Sequence, residues 1–391
     1  MKAQTGSSTV LDPIAAGQEA ALQAATGLTD VKVAFVYSGV QYDQKALLAG
    51  VSGQLAGVPL IGNTSFTGVI TPKGFITGDE GFVGILALGG DDLAVGVAGS
   101  PKQGSARATG QSVAKAALAA AGKPANGKVA PPDLFYMVAP PGEEEFYLKG
   151  IEDVIGRVPF FGGSAADNAI AGEWLLFAND EVFADGVAVA FIYTDAPFAN
   201  VFTGAYKETG NVGVITKVKD FRVLEEIDGK PALARYAEWT GQNPEDLLGA
   251  NLLVATITAP LGIKDRLGDL IAIRHPMNGN DDYSMNVGAN LAEGTAVIQM
   301  QGDVDLLISS AGKTITEVID KLGKTPAVLH LVHCGGRRAG IGDRIEELCV
   351  AITEAAGDIP FIVEFTFGEY GYEDDGNNTT GGLMLSYTAL G

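Results

Sequence analysis

The chain of 391 residues reads as an α/β protein: repeated β-α-β modules forming mixed sheets covered by helices, with a β-rich region inserted in the C-terminal half. Three observations carry this. A proline-led apolar phrase occurs three times, as Val58-Pro59-Leu60-Ile61-Gly62-Asn63-Thr64-Ser65, Val158-Pro159-Phe160-Phe161-Gly162-Gly163-Ser164 and Ile359-Pro360-Phe361-Ile362-Val363. Each copy has the same neighbours, an apolar strand and a helix before it and another strand after it. One long stretch between the second and third copies breaks that order. Proline lacks the N–H that a central strand donates, so it suits the first residue of a strand. The large apolar residues behind it make a short buried strand, and matched surroundings point to internal repetition.

Taken in order, Asp12-Pro13 caps and opens a helix that runs to Ala25, with Gly27 as its stop. Val31 to Tyr37 is apolar and β-branched, a strand; Gln44 to Leu55 is the helix after it. The Val58 phrase, a glycine-punctuated hairpin over Thr67 to Gly81 and a strand over Phe82 to Leu88 complete the first module. Its successor has a helix over Gly110 to Ala121, a Pro/Gly/Lys linker, a strand over Asp133 to Ala139 and a helix over Glu143 to Ile155. The Val158 phrase, a hairpin from Trp174 to Phe183 and a strand over Val187 to Tyr193 follow. Phe35 precedes Pro59 by 24 residues and Phe135 precedes Pro159 by 24, which predicts a shared register.

The third module is expected over 312–391, with strand Ala327 to His333, a loop Cys334 to Gly340, helix Asp343 to Ala355 and a last strand Leu383 to Leu390. Residues 205–305 form the β-rich region, with a short helix over Ala232 to Trp239 and another begun by Asn243-Pro244. A boundary near 205 divides the chain into 1–204, two modules, and 205–391.

A formal charge of −21 without a basic stripe argues against a nucleic-acid partner. Two cysteines, Cys334 and Cys349, make no disulfide framework, so a reducing compartment is expected. The amino end has no signal-peptide core, and no apolar run is long enough for a membrane helix. The expected location is cytoplasmic.

In α/β units ligands bind beyond the carboxyl ends of strands. That rule selects the loops after the three matched strands and the glycines after the proline phrases. Cys334-Gly335-Gly336-Arg337-Arg338 is the richest of these, a glycine-rich link from strand to helix whose amides favour an anion. Arg337 and Arg338 either grip a ligand carboxylate or phosphate, or pair with Asp343, Glu346 or Glu347. Glu369, Gly162, Gly163, Ser164, Asn63, Thr64 and Asn378 are the further candidates for a ligand pocket, with turn and capping roles as the alternative.

A catalytic thiol at Cys334 lacks a base. His333 faces the other side of the strand, and His330 lies about 13 Å along it, leaving only His275 or a remote carboxylate. The three histidines have no metal spacing, whereas a single axial histidine for haem requires none. No catalytic residue and no cofactor are therefore assigned.

The Val58 and Val158 phrases with Gly162-Gly163 and Asp167 resemble the N-terminal half of FIST proteins. Ile227-Asp228-Gly229-Lys230-Pro231-Ala232 with Tyr236, Cys334-Gly335-Gly336-Arg337, Gly368-Glu369 and an Asn-Thr pair before the last strand are similar to the C-terminal half. The resemblance covers roughly residues 30 to 391. It implies a sensory domain of signal transduction that binds small ligands such as amino acids, and some members resemble haem-binding nitric oxide sensors. The positions that carry over are Gly162, Gly163, Cys334, Arg337, Gly368 and Glu369. Two departures stand out. No kinase, cyclase or receiver region is present, so the output is expected on a separate signalling protein. The family's His-Asn-x-Thr-like ending appears as Gly376-Asn377-Asn378-Thr379-Thr380 without the histidine, which leaves the match open between Asn377 and Asn378.

Overall fold

Three hydrogen bonds show how the proline phrases work. Ala34 donates to the carbonyl of Pro59, Phe135 to that of Pro159 and Leu329 to that of Pro360, each at 2.9–3.0 Å. Each bond starts a parallel pair: Val31–Ser38 with Leu60–Thr64, Leu134–Ala139 with Phe160–Ser164, and Val328–Cys334 with Phe361–Thr366. The proline closes the strand start, and the apolar residues after it are buried. The bonds also correct the register: Ala34, not Phe35, is the counterpart of Phe135. The equal 24-residue spacing is a coincidence of one residue in the turn, and it matters because a one-residue slip moves side chains to the other face.

The computed structural model describes residues 1–122, 130–264, 269–374 and 376–391. Most of the Pro/Gly/Lys linker, at 123–129, lies outside the described residues.

Each module builds a six-stranded mixed sheet to one plan. An outer strand (Lys2–Ser8, Leu93–Pro101 or Phe198–Thr203) lies beside the closing strand (Val83–Gly89, Gly186–Thr194 or Leu385–Leu390), which lies beside the parallel pair. Of the outer strands, Phe198–Thr203 falls in a stretch that reads as strands in the sequence, whereas Lys2–Ser8 and Leu93–Pro101 were not foreseen. The last two places in every sheet are filled by a hairpin from another module. Hairpin Val69–Thr71 and Gly74–Ile76 joins the third sheet, and Leu176–Ala178 with Glu181–Phe183 joins the first. Glu369–Tyr372 with Asn378–Gly381 joins the second. The exchange is cyclic, so the three sheets interlock.

Helices Pro13–Ala25 and Gln44–Gln54 cover the outside of the first sheet, and Ala106–Ala120 with Glu144–Ile155 that of the second. Val304–Leu322 and Ile345–Ala356 cover the third. Asp12, Asp43, Ser105 and Asp303 cap four of these helices through their side chains. The inner faces of the three sheets share a single core that includes Phe35, Tyr136, Phe161, Val332 and Ile362.

Phe35, Tyr136 and His330 are equivalent by register, and they meet in that core with ring centroids 4.7–5.3 Å apart. The Tyr37 hydroxyl lies 2.6 Å from His330 Nε2, and the Tyr136 hydroxyl lies 3.0 Å from both Glu364 Oε1 and Asn63 Oδ1, with one proton to donate between them. A buried polar cluster has to find its partners internally, and this one does so in part, with His330 Nδ1 and Glu364 Oε2 left without a partner among the described residues.

The third module is discontinuous. Its outer strand Phe198–Thr203 precedes the β-rich region, and its first helix begins at Val304 rather than near 312. Between them an eight-stranded sheet runs from Ile271–Arg274 at one end of its order to Pro276–Gly279 at the other. Only His275 separates those two strands in sequence, so the sheet curls until its ends nearly meet, with His275 at the seam. No described helix is long and apolar enough to cross a membrane.

Candidate functional site

The carboxyl ends of the module strands do not open to solvent alone. The curled sheet and the turn 252–257 stand over those of the second and third modules, enclosing a cavity of about 450 Å³. Its floor is Cys334-Gly335-Gly336, Pro141-Gly142, Phe66 and Phe367, all just beyond strand ends. The roof contributes Leu253, Val254, Ile257, His275, Met277 and Asn286–Gly288, and Ile170 and Trp174 form a side wall. Ile170 and Val254 remain 51% and 75% exposed, which marks the mouth.

At the floor the chain turns from strand Val328–Cys334 directly into helix Gly335–Ile341, where a loop was expected. Gly336 packs closely, since a Cβ there would lie 2.8 Å from Leu383 Cδ2 and push that side chain aside. Cys334 Sγ accepts the amides of Gly336 and Leu383, both at 3.2 Å. Behind it lies Glu369, fully buried, whose carboxyl accepts from Thr366 Oγ1 and the Met384 amide at 2.9 Å. Burial outweighs these donors and pushes Glu369 up to about 8. Burial, then the Glu369 charge, push the thiol far above its ordinary range.

His275 Nε2 lies 2.8 Å from the Leu253 carbonyl, which fixes Nε2 as the protonated nitrogen and leaves Nδ1 without a hydrogen-bond partner among the described residues. Burial pushes its pKa down to about 4, so the ring is neutral at pH 7. Among the described residues Arg222 is the only guanidinium on the wall, and its charge is already matched. It donates to Glu144 at 2.5 Å, Glu145 at 2.7 Å, Asn290 at 3.0 Å and the Gly288 carbonyl at 3.1 Å. Burial pushes Glu144 up, whereas Arg222 overcomes burial at Glu145 and holds it down.

Of the residues selected from sequence, Cys334 and Gly335 line the cavity, and Glu369 backs Cys334. Gly163 pairs in register with Glu369, so those two phrases do come together. Gly162 and Gly163 serve packing, since a Cβ on either would lie 2.0 Å from the Met137 carbonyl or 2.6 Å from Thr366 Cγ2. Ser164 bonds Glu144 and Tyr370; Thr64 anchors Leu175; Asn63 belongs to the central core cluster. Asn378 holds Glu152 and the Val158 carbonyl. Asp167 ties a turn together by accepting the amides of Ala169, Ala171, Gly172 and Glu173.

Arg337 departs most from expectation. It is completely buried and spends its donors on Gly204 O, Leu383 O, Leu307 O and Ser310 Oγ, so it does not reach the cavity. Arg338 bonds the Gly342 carbonyl and lies over Phe75. Neither pairs with the downstream acids; Glu347 is taken by Arg344 at 2.7 Å. His275 was weighed only as a base for Cys334, and Met277, Asn286 and Trp174 were missed because nothing local marks them; only the curled sheet and the loop 170–174 bring these residues to strand ends distant in sequence. Among the described residues no group of three His, Cys, Asp or Glu side chains is placed to hold a metal.

Comparison with known proteins adds the following. An uncharacterized protein of Methanocaldococcus jannaschii is 24% identical over 203 residues, 48% of this chain. That match spans only 38% of the relative's length. A cyanuric acid hydrolase structure from A. caulinodans aligns with a TM-score of 0.39 at 9% identity, covering 100% of this chain and 99% of the other. Phosphoribosylformylglycinamidine synthase II from Thermotoga maritima aligns with a TM-score of 0.22 at 11% identity, covering 99% and 71%. Likenesses this low carry no argument about either chain's chemistry. The sequence itself matches the FIST N domain over residues 32–230 and the FIST C domain over 232–372, and with that coverage the chain belongs to the FIST family of small-ligand sensory domains in signal transduction.

Proposed function

We propose that this chain is a non-enzymatic sensor whose ligand is a small molecule with an apolar or aromatic body, held between the strand ends and the curled sheet. One observation carries this: a cavity of about 450 Å³ walled by Phe66, Trp174, Ile257, Met277 and Phe367, with few polar groups. Mostly apolar concave sites with a few convergent polar groups are where drug-sized ligands bind. Among the amino acids and carboxylated metabolites the family suggests, those with aromatic or branched side chains suit these walls. Acidic ones do not, because Arg222 is already matched by two carboxylates and the protein carries a charge of −21. A separate signalling protein in the cytoplasm would read the occupied state.

Thermal-shift titration tests this. Phenylalanine, tryptophan or leucine should raise the melting midpoint, since a ligand at about 100 times its Kd stabilises by about 2.7 kcal/mol. Ile257→Trp, which fills the cavity, should abolish the shift. A shift from glutamate or aspartate as large as that from tryptophan would overturn the assignment.

A haem site is the second reading, and His275 favours it. A ligating imidazole usually donates its other N–H to a carbonyl or carboxylate, as His275 does to Leu253. His330 and His333 are fully buried away from the cavity. Haem supplies nitric oxide binding when present; His275 would hold it and the apolar walls would exclude water. Reconstitution with haemin should then give a Soret band that His275→Ala removes, and its absence from wild type would dismiss haem.

A further inference from the structure

We propose that the cavity selects an aromatic ligand whose ring carries its own hydrogen-bond donor, an indole N–H or a phenol O–H, and that His275 Nδ1 accepts that bond. This rests on the cavity's being the ligand site, and goes beyond it by naming the group that is recognised and the atom that recognises it. His275 lines the cavity at the seam of the curled sheet and is only 8% exposed. Its Nε2–H is spent on the Leu253 carbonyl, so in the neutral ring Nδ1 holds a lone pair and no proton. Burial holds the ring's pKa down to about 4, which keeps Nδ1 an acceptor at neutral pH. The space beside this residue is empty of protein. A Cβ on Gly382 would meet only the His275 Cβ within 4 Å, at 3.4 Å, and one on Gly288 would meet only His275 and Met277, at 3.8–3.9 Å. Both glycines line the cavity.

The neighbouring polar groups do not compete for a ligand's donor. Arg222 has only donors, the Leu253 carbonyl holds His275, and Asn286 Oδ1 accepts from Asn280 at 3.3 Å. Cys334 Sγ already accepts two amides. A ligand that covers Nδ1 with a C–H leaves a buried acceptor unpaired, and a site built around one hydrogen bond rejects the ligand that lacks it. An ammonium suits the position poorly, because Glu144 and Glu145 are taken up by Arg222 and a neutral imidazole offers no counter-charge. The charged end of an amino acid therefore stays at the mouth, beside the exposed Ile170 and Val254, where water solvates it. Its ring lies inward among Phe66, Trp174 and Phe367. The apolar walls hold phenylalanine and tryptophan alike; His275 favours tryptophan.

The test compares tryptophan with its benzothiophene analogue, in which sulfur replaces the ring N–H and the shape is kept, by titration calorimetry on the full chain. Tryptophan should bind about 10-fold more tightly, the factor that one net hydrogen bond supplies. His275→Leu should weaken tryptophan to the level of the analogue and leave the analogue's affinity as it was. General damage to the cavity would weaken both, so the difference between the two ligands isolates the hydrogen bond. If His275→Leu fails to fold, nitrogen NMR of the histidine side chains in wild type serves instead: tryptophan should move the His275 Nδ1 resonance upfield, and the analogue should not. Equal affinities in wild type, a His275→Leu protein that still prefers tryptophan, or an Nδ1 resonance that tryptophan leaves in place overturns the assignment to His275 while the cavity reading stands. If neither compound binds, the cavity reading falls and this inference falls with it.

Discussion

Arg222→Met should be among the most destabilising single changes in the β-rich region. Arg222 binds Glu144 and Glu145 of the second module to that region, at 2.5 and 2.7 Å. The side chains involved are only 19%, 4% and 23% exposed, so water screens them little. Methionine keeps most of the apolar stem, so the measured loss reports the charge and its bonds. Breaking a buried pair by removing one partner costs about 3–5 kcal/mol, because the remaining charge is left uncompensated. Two adjacent carboxylates are left here, and the cost should lie in the upper part of that range until one takes up a proton. Arg222→Met with Glu145→Gln should recover part of the loss, a coupling of at least about 1 kcal/mol.

The pH dependence follows from the direction of the Glu145 shift. Its folded pKa is lowered, so its stabilisation is present above the ordinary carboxylate range and is lost as pH falls through the lowered value. The gap between wild type and variant should therefore be widest near pH 7 and shrink toward pH 3. Urea unfolding followed by circular dichroism across that range measures both. A loss under about 1 kcal/mol at pH 7, or a gap that does not change with pH, would refute the claim that this arginine compensates buried charge.

Gly162→Ala should lower stability by at least about 2 kcal/mol, read as a fall in the melting midpoint, since it combines φ +139° with a Cβ 2.0 Å from the Met137 carbonyl. His275 should make the fold acid-sensitive: its folded pKa of about 4 lies below the ordinary 6.5, so stability is lost as pH falls from 6.5 to 4, by about 3 kcal/mol in all. His275→Gln should flatten that limb of a stability–pH profile, and an unchanged slope would exclude His275 as its source. Tyr37→Phe should cost about 1–3 kcal/mol in urea unfolding, because His330 Nε2 loses its 2.6 Å partner in a fully buried cluster.

The modules were legible in the sequence because their signals are local. A proline at a strand start, a run of apolar residues and capped helices, as at Asp12-Pro13, each leave a mark within a few residues. The outer strands Lys2–Ser8 and Leu93–Pro101 were not, since Gln4, Thr5, Ser7 and Ser8 lack apolar alternation and Leu93–Pro101 carries small residues. Register escaped by one residue, because spacing in sequence does not count the residues used in the intervening turn. The site was half legible. Cys334 and Glu369 announce themselves beside glycines at strand ends, whereas His275 acquires its place only when an eight-stranded sheet brings its two edges together. Arg337 misled for a physical reason: charge pattern gives no hint of how many carbonyls will surround a guanidinium, and four acceptors claim this one.

The exchanged hairpins bear on how the chain can be made. Synthesis runs from the amino end, yet the hairpin Val69–Thr71 and Gly74–Ile76 has its berth beside Phe361–Thr366, which is made long after it. Strand Phe160–Ser164 likewise waits for Glu369–Tyr372. During translation the first two modules therefore carry bare strand edges and an orphan hairpin, surfaces prone to pairing with other nascent chains. Closing such long-range contacts is slow. The ring locks only once Phe361–Thr366 and Glu369–Tyr372 have been made, so its earliest-made parts are among the last to settle.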